Sequence, residues 1–114
     1  MINDWVELLK TNKQAGMSLG KVAPKFMTAL QNMNANQNGN GALDAKTREL
    51  IALAVAVTTR CDGCIAAHAN GAVQAGATEA ELADALGTAM SLNTGAAYVY
   101  SIRALEAFQQ FSSQ

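Results

Sequence analysis

Residues 48–76 constrain the fold more than any other part of the chain, because they join an unbroken apolar run to a Cys-x-x-Cys motif and the single histidine. Residues 50–57 are apolar on every side of a helix, which is typical of a central helix covered all round. The run contains three β-branched residues, so a buried strand is the competing interpretation, and periodicity alone cannot assign so short a run. An N-cap residue at Asp44 and the many alanines favour a helix.

Two helices are predicted before this stretch. Asp4 can cap the first helix, which is expected to end at a break between Gly16 and Gly20. Pro24 suits the first turn of the second helix, where its missing N–H would have no helical partner in any case. The polar residues 34–41 then form a loop. The positions expected to face the core in these two helices are Trp5, Leu8, Leu9, Phe26, Met27, Leu30 and Met33.

The helical pattern continues after the motif. A fourth helix is predicted over about residues 61–75, and a capping box of Thr78 and Glu81 opens a fifth over residues 79–92. A last helix is predicted over about residues 96–111. The positions expected to face the core in this last helix are Tyr98, Ile102, Leu105 and Phe108. No strand or hairpin signal occurs, so the sequence predicts an all-α fold of about six helices, with the Cys-x-x-Cys motif at the N-terminus of a central helix.

Length, charge and composition limit the class of protein. With 114 residues the chain suits a single domain, 1–114, and its net charge of −1 with scattered basic residues gives no reason to expect a nucleic-acid partner. The N-terminus lacks the pattern of a signal peptide and the longest apolar run is too short to span a bilayer, so we expect a cytoplasmic protein with no membrane partner. Half of the residues are apolar but only 5% are aromatic, which favours closely packed helices and apolar surface buried between the subunits of a homo-oligomer.

Cys61, Cys64 and His68 lie on one stripe of the predicted fourth helix. His68 can reach Cys64, which precedes it by four residues, and the pKa of a thiol falls both beside a histidine and at a helix N-terminus. Cys64 is therefore the candidate nucleophile and Cys61 its resolving partner, at a separation that a disulfide tolerates. His68 is the candidate for the group that accepts or relays the proton.

Glu49 is the candidate for the group that orients His68. It directly precedes the apolar run, and a carboxylate buried there needs a hydrogen-bonding partner. If the third and fourth helices pack antiparallel, Glu49 lies about 18 Å from Cys61 along one helix and His68 about 10 Å along the next. Glu49 is then deeper than His68 and reaches it only if the turn is staggered or the helix ends early.

Other interpretations of these residues stay open at this point. A structural zinc site needs four converging ligands, whereas the chain has a single Cys-x-x-Cys and one histidine, about 10 Å from Cys61 along a continuous helix. We therefore expect no bound metal and no bound cofactor. The cysteines could also be inert core residues, His68 a structural residue, and Glu49 a solvated partner of Arg48 or Lys46. The helical surroundings of the motif argue against a thioredoxin-like scaffold.

The sequence also resembles a known family. The core signature of the alkylhydroperoxidase D-like proteins, within the carboxymuconolactone decarboxylase superfamily, is similar to KTRELIALAVAVTTRCDGCIAAHANGAVQAGATEAELADAL. That signature is a Glu, eleven residues, Cys-x-x-Cys, three residues and a His, which Glu49, Cys61, Cys64 and His68 match in type and spacing. The resemblance covers roughly residues 43–86, and the segment NTGAAYVYSIRALEAF is similar to the family's closing helix.

The resemblance implies an all-helical peroxidase that reduces hydroperoxides through a cysteine pair. The cysteine matched by Cys64 attacks the peroxide and becomes a sulfenic acid, which condenses with the cysteine matched by Cys61. Glu49 and His68 match the relay that deprotonates the nucleophile. The resemblance further implies that an external dithiol, in some members a lipoylated protein, reduces the disulfide, and that short members assemble as trimers or hexamers.

Asp62 and Gly63 depart from the best-known peroxidases of the family, which carry a second His between the cysteines. An acidic neighbour is expected to raise the pKa of a thiol and to slow the peroxidase. Two alternative functions are also considered. One is an acid–base enzyme of the decarboxylase type that uses His68 and Glu49, although the true decarboxylases of the superfamily lack the cysteine pair. The other is a non-enzymatic oligomer whose packing responds to disulfide formation.

Overall fold

Helices account for most of the chain in the computed structural model, which describes residues 1–114. The six helices are α1 (Trp5–Val22), α2 (Pro24–Ala35), α3 (Ala45–Thr59), α4 (Asp62–Gln74), α5 (Glu79–Leu92) and α6 (Thr94–Ser112). No residue lies in a β-strand, so the predicted all-α fold is confirmed and the strand interpretation of residues 50–57 is wrong. None of the six helices is both long and apolar enough to cross a membrane.

The body of the fold is built from α3, α4, α5 and α6. α3 and α6 each pack against the other three of these helices, and α4 also contacts α1. Half of the 16 residues in the buried apolar cluster are alanines, which allow helix backbones to approach closely. The largest fully buried side chains are Trp5, Leu53, Val57, Ile65 and Leu82. The chemistry-bearing stretch, residues 48–76, therefore supplies the centre of the core as well as the candidate site.

The N-terminal capping signals are confirmed. Asp4 and Asp44 each accept a hydrogen bond from the backbone amide three residues later. Thr78 and Glu81 form the predicted capping box at the start of α5. A salt bridge of 2.8 Å between Lys46 and Glu81 joins the first turns of α3 and α5. The Glu81 hydrogen bond holds the pKa of Lys46 above its usual range, and the Lys46 hydrogen bond holds the pKa of Glu81 below its own.

α1 and α2 form an arm beside this body, and α2 contacts α1 alone. α1 runs unbroken through Gly16 and Gly20, so the predicted break there is wrong. A glycine inside a helix costs only about 1 kcal/mol relative to alanine, which a long helix tolerates. Gly20 instead lets α2 approach, because a Cβ at this position would lie 3.3 Å from Met27 Cγ.

The predicted buried face of α2 is wrong for a single chain, since this helix has no buried residue. Phe26 and Met33 are 82% and 72% exposed. The helix does carry apolar residues on one face, but α1 is the only helix that packs against it. Hydrophobic periodicity indicates which face of a helix favours burial, and it does not indicate whether the covering surface belongs to the same chain.

Two other predicted faces need correction. Ile51 and Val55 on α3 are half exposed, so this central helix is not covered all round by its own chain. Tyr98 and Ile102 on α6 also face solvent, whereas Phe108 is buried as predicted. The side of α6 that meets the core is lined instead mainly by small residues, Ala97, Ser101, Ala104 and Ala107.

Candidate functional site

The site begins at the turn between α3 and α4. Arg60 adopts the left-handed conformation, with φ 57° and ψ 47°, and is the only non-glycine residue with a positive φ. Its amide closes α3 by donating to the Ala56 carbonyl. Only Arg60 and Cys61 separate the two helices, so α4 folds back directly along α3. This short connection brings residues from both helices to one place.

Cys61 and Cys64 form a disulfide across the first turn of α4, with their Cα atoms 5.2 Å apart. Cys61 is the N-cap residue, and its sulfur accepts a hydrogen bond of 3.2 Å from the Cys64 amide. Cys64 is exposed whereas Cys61 is partly buried. The predicted position of the motif at the N-terminus of a central helix is confirmed, and the cysteine with the better access to solvent is the candidate nucleophile.

His68 lies one turn beyond Cys64, and its Nδ1 is 2.7 Å from Glu49 Oε2. Both side chains are about one quarter exposed. An ionised carboxylate can only accept, so Nδ1 carries the hydrogen in this pair. In the neutral imidazole this leaves Nε2 as the unprotonated nitrogen, free to accept a proton. Residues four apart on a helix are neighbours on its surface, and helical side chains lean toward the N-terminus, so this spacing favours an approach of His68 to Cys64.

Glu49 contacts His68 although the sequence places Glu49 further from the turn between α3 and α4. Glu49 and Gly71 lie at equal separations from Arg60 along the chain, so they meet where α3 and α4 run side by side. A Cβ at Gly71 would lie 2.6 Å from Glu49 Cδ and within 2.8 Å of both carboxylate oxygens. Glycine at this position leaves the room in which the carboxylate lies, and from there Glu49 reaches back one turn to His68.

Asp62, between the cysteines, is paired with Arg103 of α6. Arg103 Nε donates to Asp62 Oδ1 at 3.0 Å and Nη2 donates to Oδ2 at 2.5 Å. This ion pair holds the pKa of Arg103 above its usual range. The acidic residue that the sequence places between the cysteines is therefore paired with a cation. No spacing in the sequence links these residues, because only the packing of α4 on α6 brings them together.

The other residue between the cysteines, Gly63, lies against α1. A Cβ at Gly63 would be 3.2 Å from Asn12 Nδ2, which is a tight contact. A side chain at this position therefore requires the exposed Asn12 side chain to give by a few tenths of an ångström. The structure contains no group of three or more His, Cys, Asp or Glu side chains arranged to hold a metal ion.

Comparisons with known proteins agree with this fold. The model of the carboxymuconolactone decarboxylase family matches residues 24–107. An uncharacterized protein from Haemophilus influenzae is 58% identical over 108 residues, which are 95% of this chain and 96% of that protein. Another uncharacterized protein, from Cupriavidus necator, is 33% identical over 106 residues and 93% of each chain.

A solved structure is similar over nearly the whole chain. The crystal structure of an apo carboxymuconolactone decarboxylase family protein from Legionella pneumophila matches with a TM-score of 0.89 and 37% sequence identity, over 95% of this chain and 96% of that one. The chain therefore belongs to the carboxymuconolactone decarboxylase family. Within that superfamily it is an alkylhydroperoxidase D-like member, as the sequence resemblance indicated.

Proposed function

We propose that this protein is a thiol-dependent peroxidase that reduces hydroperoxides through Cys64 and Cys61, with His68 and Glu49 as a proton relay. The observation that carries the proposal is the placement of a Cys61–Cys64 disulfide one helical turn before a hydrogen-bonded His68–Glu49 pair. A nucleophile beside a base that a third group orients is the general arrangement of an activated nucleophile. Cys64, as the exposed cysteine nearer to His68, takes the part of the nucleophile.

The first half of the reaction oxidises Cys64. Its thiol gives a proton to His68 Nε2, and Glu49 stabilises the imidazolium through Nδ1. The thiolate attacks one peroxide oxygen, so that an S–O bond forms and the O–O bond breaks. The departing alkoxide takes the proton from His68 and leaves as an alcohol. Cys64 has then given two electrons to the peroxide and is a sulfenic acid.

The second half forms the disulfide. The Cys61 sulfur attacks the Cys64 sulfur, so that an S–S bond forms, the S–O bond breaks and water leaves with the Cys61 proton. An external dithiol then supplies two electrons and two protons and becomes a disulfide itself. We include in the proposal a dithiol reductant, of which a lipoylated protein is one candidate, and assembly of the chain as a trimer or hexamer.

The test is peroxide consumption with dihydrolipoamide as the reductant, measured for the wild type, Cys64→Ser, Cys61→Ser and His68→Asn. We expect Cys64→Ser to abolish turnover and Cys61→Ser to accumulate a sulfenic acid that a dimedone probe traps. Loss of the proton relay in His68→Asn should lower turnover by about a hundredfold, a typical contribution of general acid–base catalysis. Ala67→Ser is the matched control, because it places a serine at an exposed position of the same helix and should retain wild-type turnover.

Each of the other outcomes favours a different function. A wild-type protein that forms the disulfide readily but consumes no peroxide with any dithiol would contradict the peroxidase and favour the redox-responsive oligomer. An activity that persists after both cysteines are replaced by serine and is lost in His68→Asn would favour the acid–base enzyme.

A further inference from the structure

Asp62 occupies the first position of α4, between the two sulfurs of the redox pair in sequence. A carboxylate there is favourable for the helix, since it faces the partial positive charge of the N-terminus. The same charge opposes formation of a thiolate in that turn, because like charges disfavour each other. The effect of the Asp62 carboxylate on thiolate stability therefore depends on how completely a nearby positive charge neutralises it.

Arg103 supplies this positive charge in a fixed geometry. Its Nε and Nη2 contact the two oxygens of Asp62 separately, at 3.0 Å and 2.5 Å. Such a two-point contact between a planar guanidinium and a carboxylate fixes orientation as well as charge, and a lysine cannot reproduce it. The Arg103 and Asp62 side chains are 23% and 36% exposed, so solvent screens the pair less than it screens a fully exposed one.

Two aromatic rings hold the guanidinium in place. Arg103 Cζ lies 5.2 Å from the centroid of Trp5 and 5.3 Å from that of Tyr100, within the range of cation–π attraction. Trp5 is completely buried, and its indole N–H donates to Glu106 at 3.0 Å. The position of the cation thus depends on α1 and α6, neither of which carries a cysteine.

We propose that Arg103 is a positioning residue of the redox site, which holds and neutralises the Asp62 carboxylate and so sets the redox potential of the cysteine pair. The proposal rests on the proposed function only in requiring that the disulfide be reversible. Removing the cation leaves the carboxylate unpaired and makes the thiolate form less stable. A less stable reduced form shifts the equilibrium toward the disulfide, so the potential becomes more negative.

The experiment is a redox titration of the full chain against mixtures of reduced and oxidised dithiothreitol, with free thiols quantified by alkylation and mass spectrometry. Arg103→Met is expected to shift the equilibrium toward the disulfide by roughly fivefold, or about 20 mV. Asp62→Asn should shift it in the opposite direction. The double variant should return to within about twofold of the wild type, because it removes both charges. Arg103→Lys retains the charge without the two-point contact and should lie between the wild type and Arg103→Met.

Lys25→Met is the matched control, since it removes one positive charge from α2, which contacts only α1, and should leave the potential unchanged. An Arg103→Met shift that Asp62→Asn does not reverse would mean that Arg103 acts through structure alone and would overturn the proposal. Redox potentials equal to that of the wild type in both Arg103→Met and Asp62→Asn would also overturn the proposal. If Arg103→Met does not fold, Arg103→Lys takes its place: a shift toward the disulfide that Asp62→Asn reverses would support the proposal, and an unchanged potential would overturn it. Failure of the wild type to titrate reversibly would overturn this proposal together with the proposed function, whereas a reversible wild type without peroxide turnover would leave the present proposal standing.

Discussion

Gly71 lies in the last turn of α4, against the Glu49 carboxylate. In most helices a glycine at such a position is a weak point, because alanine is favoured there by about 1 kcal/mol. Here a Cβ would meet the carboxylate at 2.6 Å, so alanine can be accommodated only if Glu49 moves. Gly71 therefore leaves the space that the Glu49 carboxylate occupies. Because glycine has no side chain, the sequence alone does not mark it as a candidate site residue.

We expect Gly71→Ala to separate activity from stability. The displaced Glu49 should no longer orient His68, and peroxide turnover should fall by at least about tenfold, part of the usual contribution of acid–base catalysis. The free energy of unfolding should change little, since the gain in helix propensity offsets the contact. Both quantities are measurable on one preparation, by a turnover assay and by urea denaturation.

Gly87→Ala is the matched control for this substitution. Gly87 lies inside α5, and a Cβ there would meet no atom within 4 Å. Gly87→Ala should stabilise the protein by about 0.5 to 1 kcal/mol and leave turnover unchanged. Wild-type turnover in Gly71→Ala would show that the Glu49–His68 pair does not depend on this glycine.

At the scale of the helices, features fixed by neighbouring residues were predictable and features fixed by tertiary packing were not. The Asp44 cap and the Thr78–Glu81 capping box depend on residues three positions apart, and both are present. The contact of Glu49 with His68 depended on where α3 ends, which the left-handed residue Arg60 decides. Rise per residue gives depth along each helix, but the length of the turn and the side-chain reach decide whether two residues meet.

The N-terminal segment is held to α6 mainly by one carboxylate. Glu106 accepts hydrogen bonds from the amides of Ile2 and Asn3 and from the Trp5 indole, and Gln110 accepts from the Trp5 amide. Burial raises the pKa of Glu106, but these hydrogen bonds outweigh burial, so its pKa lies below the ordinary value of 4.5. No pattern in the sequence pairs residues from opposite ends of the chain, so this contact could not be predicted from it.

This attachment should weaken in acid. Because the pKa of Glu106 is lower in the folded state, its contribution to stability is complete above the unfolded-state value of about 4.5 and is lost as the pH falls through the folded-state value. Glu106→Gln should lower the free energy of unfolding at neutral pH by about 1 kcal/mol and should flatten its acid dependence. Urea denaturation followed by the fluorescence of Trp5, the only tryptophan, measures both effects. Asp84→Asn changes an exposed carboxylate inside α5, beyond its first turn, and should leave the profile as in the wild type. An equal response in both variants would contradict the assignment.

At the scale of the whole molecule, the arm of α1 and α2 leaves apolar surface that the chain does not cover. The radius of gyration is 14.4 Å, against roughly 13 Å expected for a compact domain of this length. Phe26 and Met33 on α2 and Ile51 and Val55 on α3 are half exposed or more. At these positions the apolar pattern of the sequence is not matched by burial within one chain. In a homo-oligomer, a second copy of the chain would cover them.

We therefore expect the protein to self-associate through the α2 face. Burying a phenylalanine side chain contributes about 1.5 to 3 kcal/mol, so Phe26→Ser should shift the assembly toward smaller species at micromolar concentration. Lys25→Ser is the control, because it changes the preceding residue of the same helix without removing apolar surface. Sedimentation velocity distinguishes the outcomes. A monomeric wild type would contradict self-association, and assemblies of equal size in the wild type and Phe26→Ser would place the interface elsewhere, on the exposed residues of α3 and α6. Repeating the measurement on reduced and oxidised protein shows whether the state of the cysteine pair reaches that interface, as the redox-responsive alternative requires.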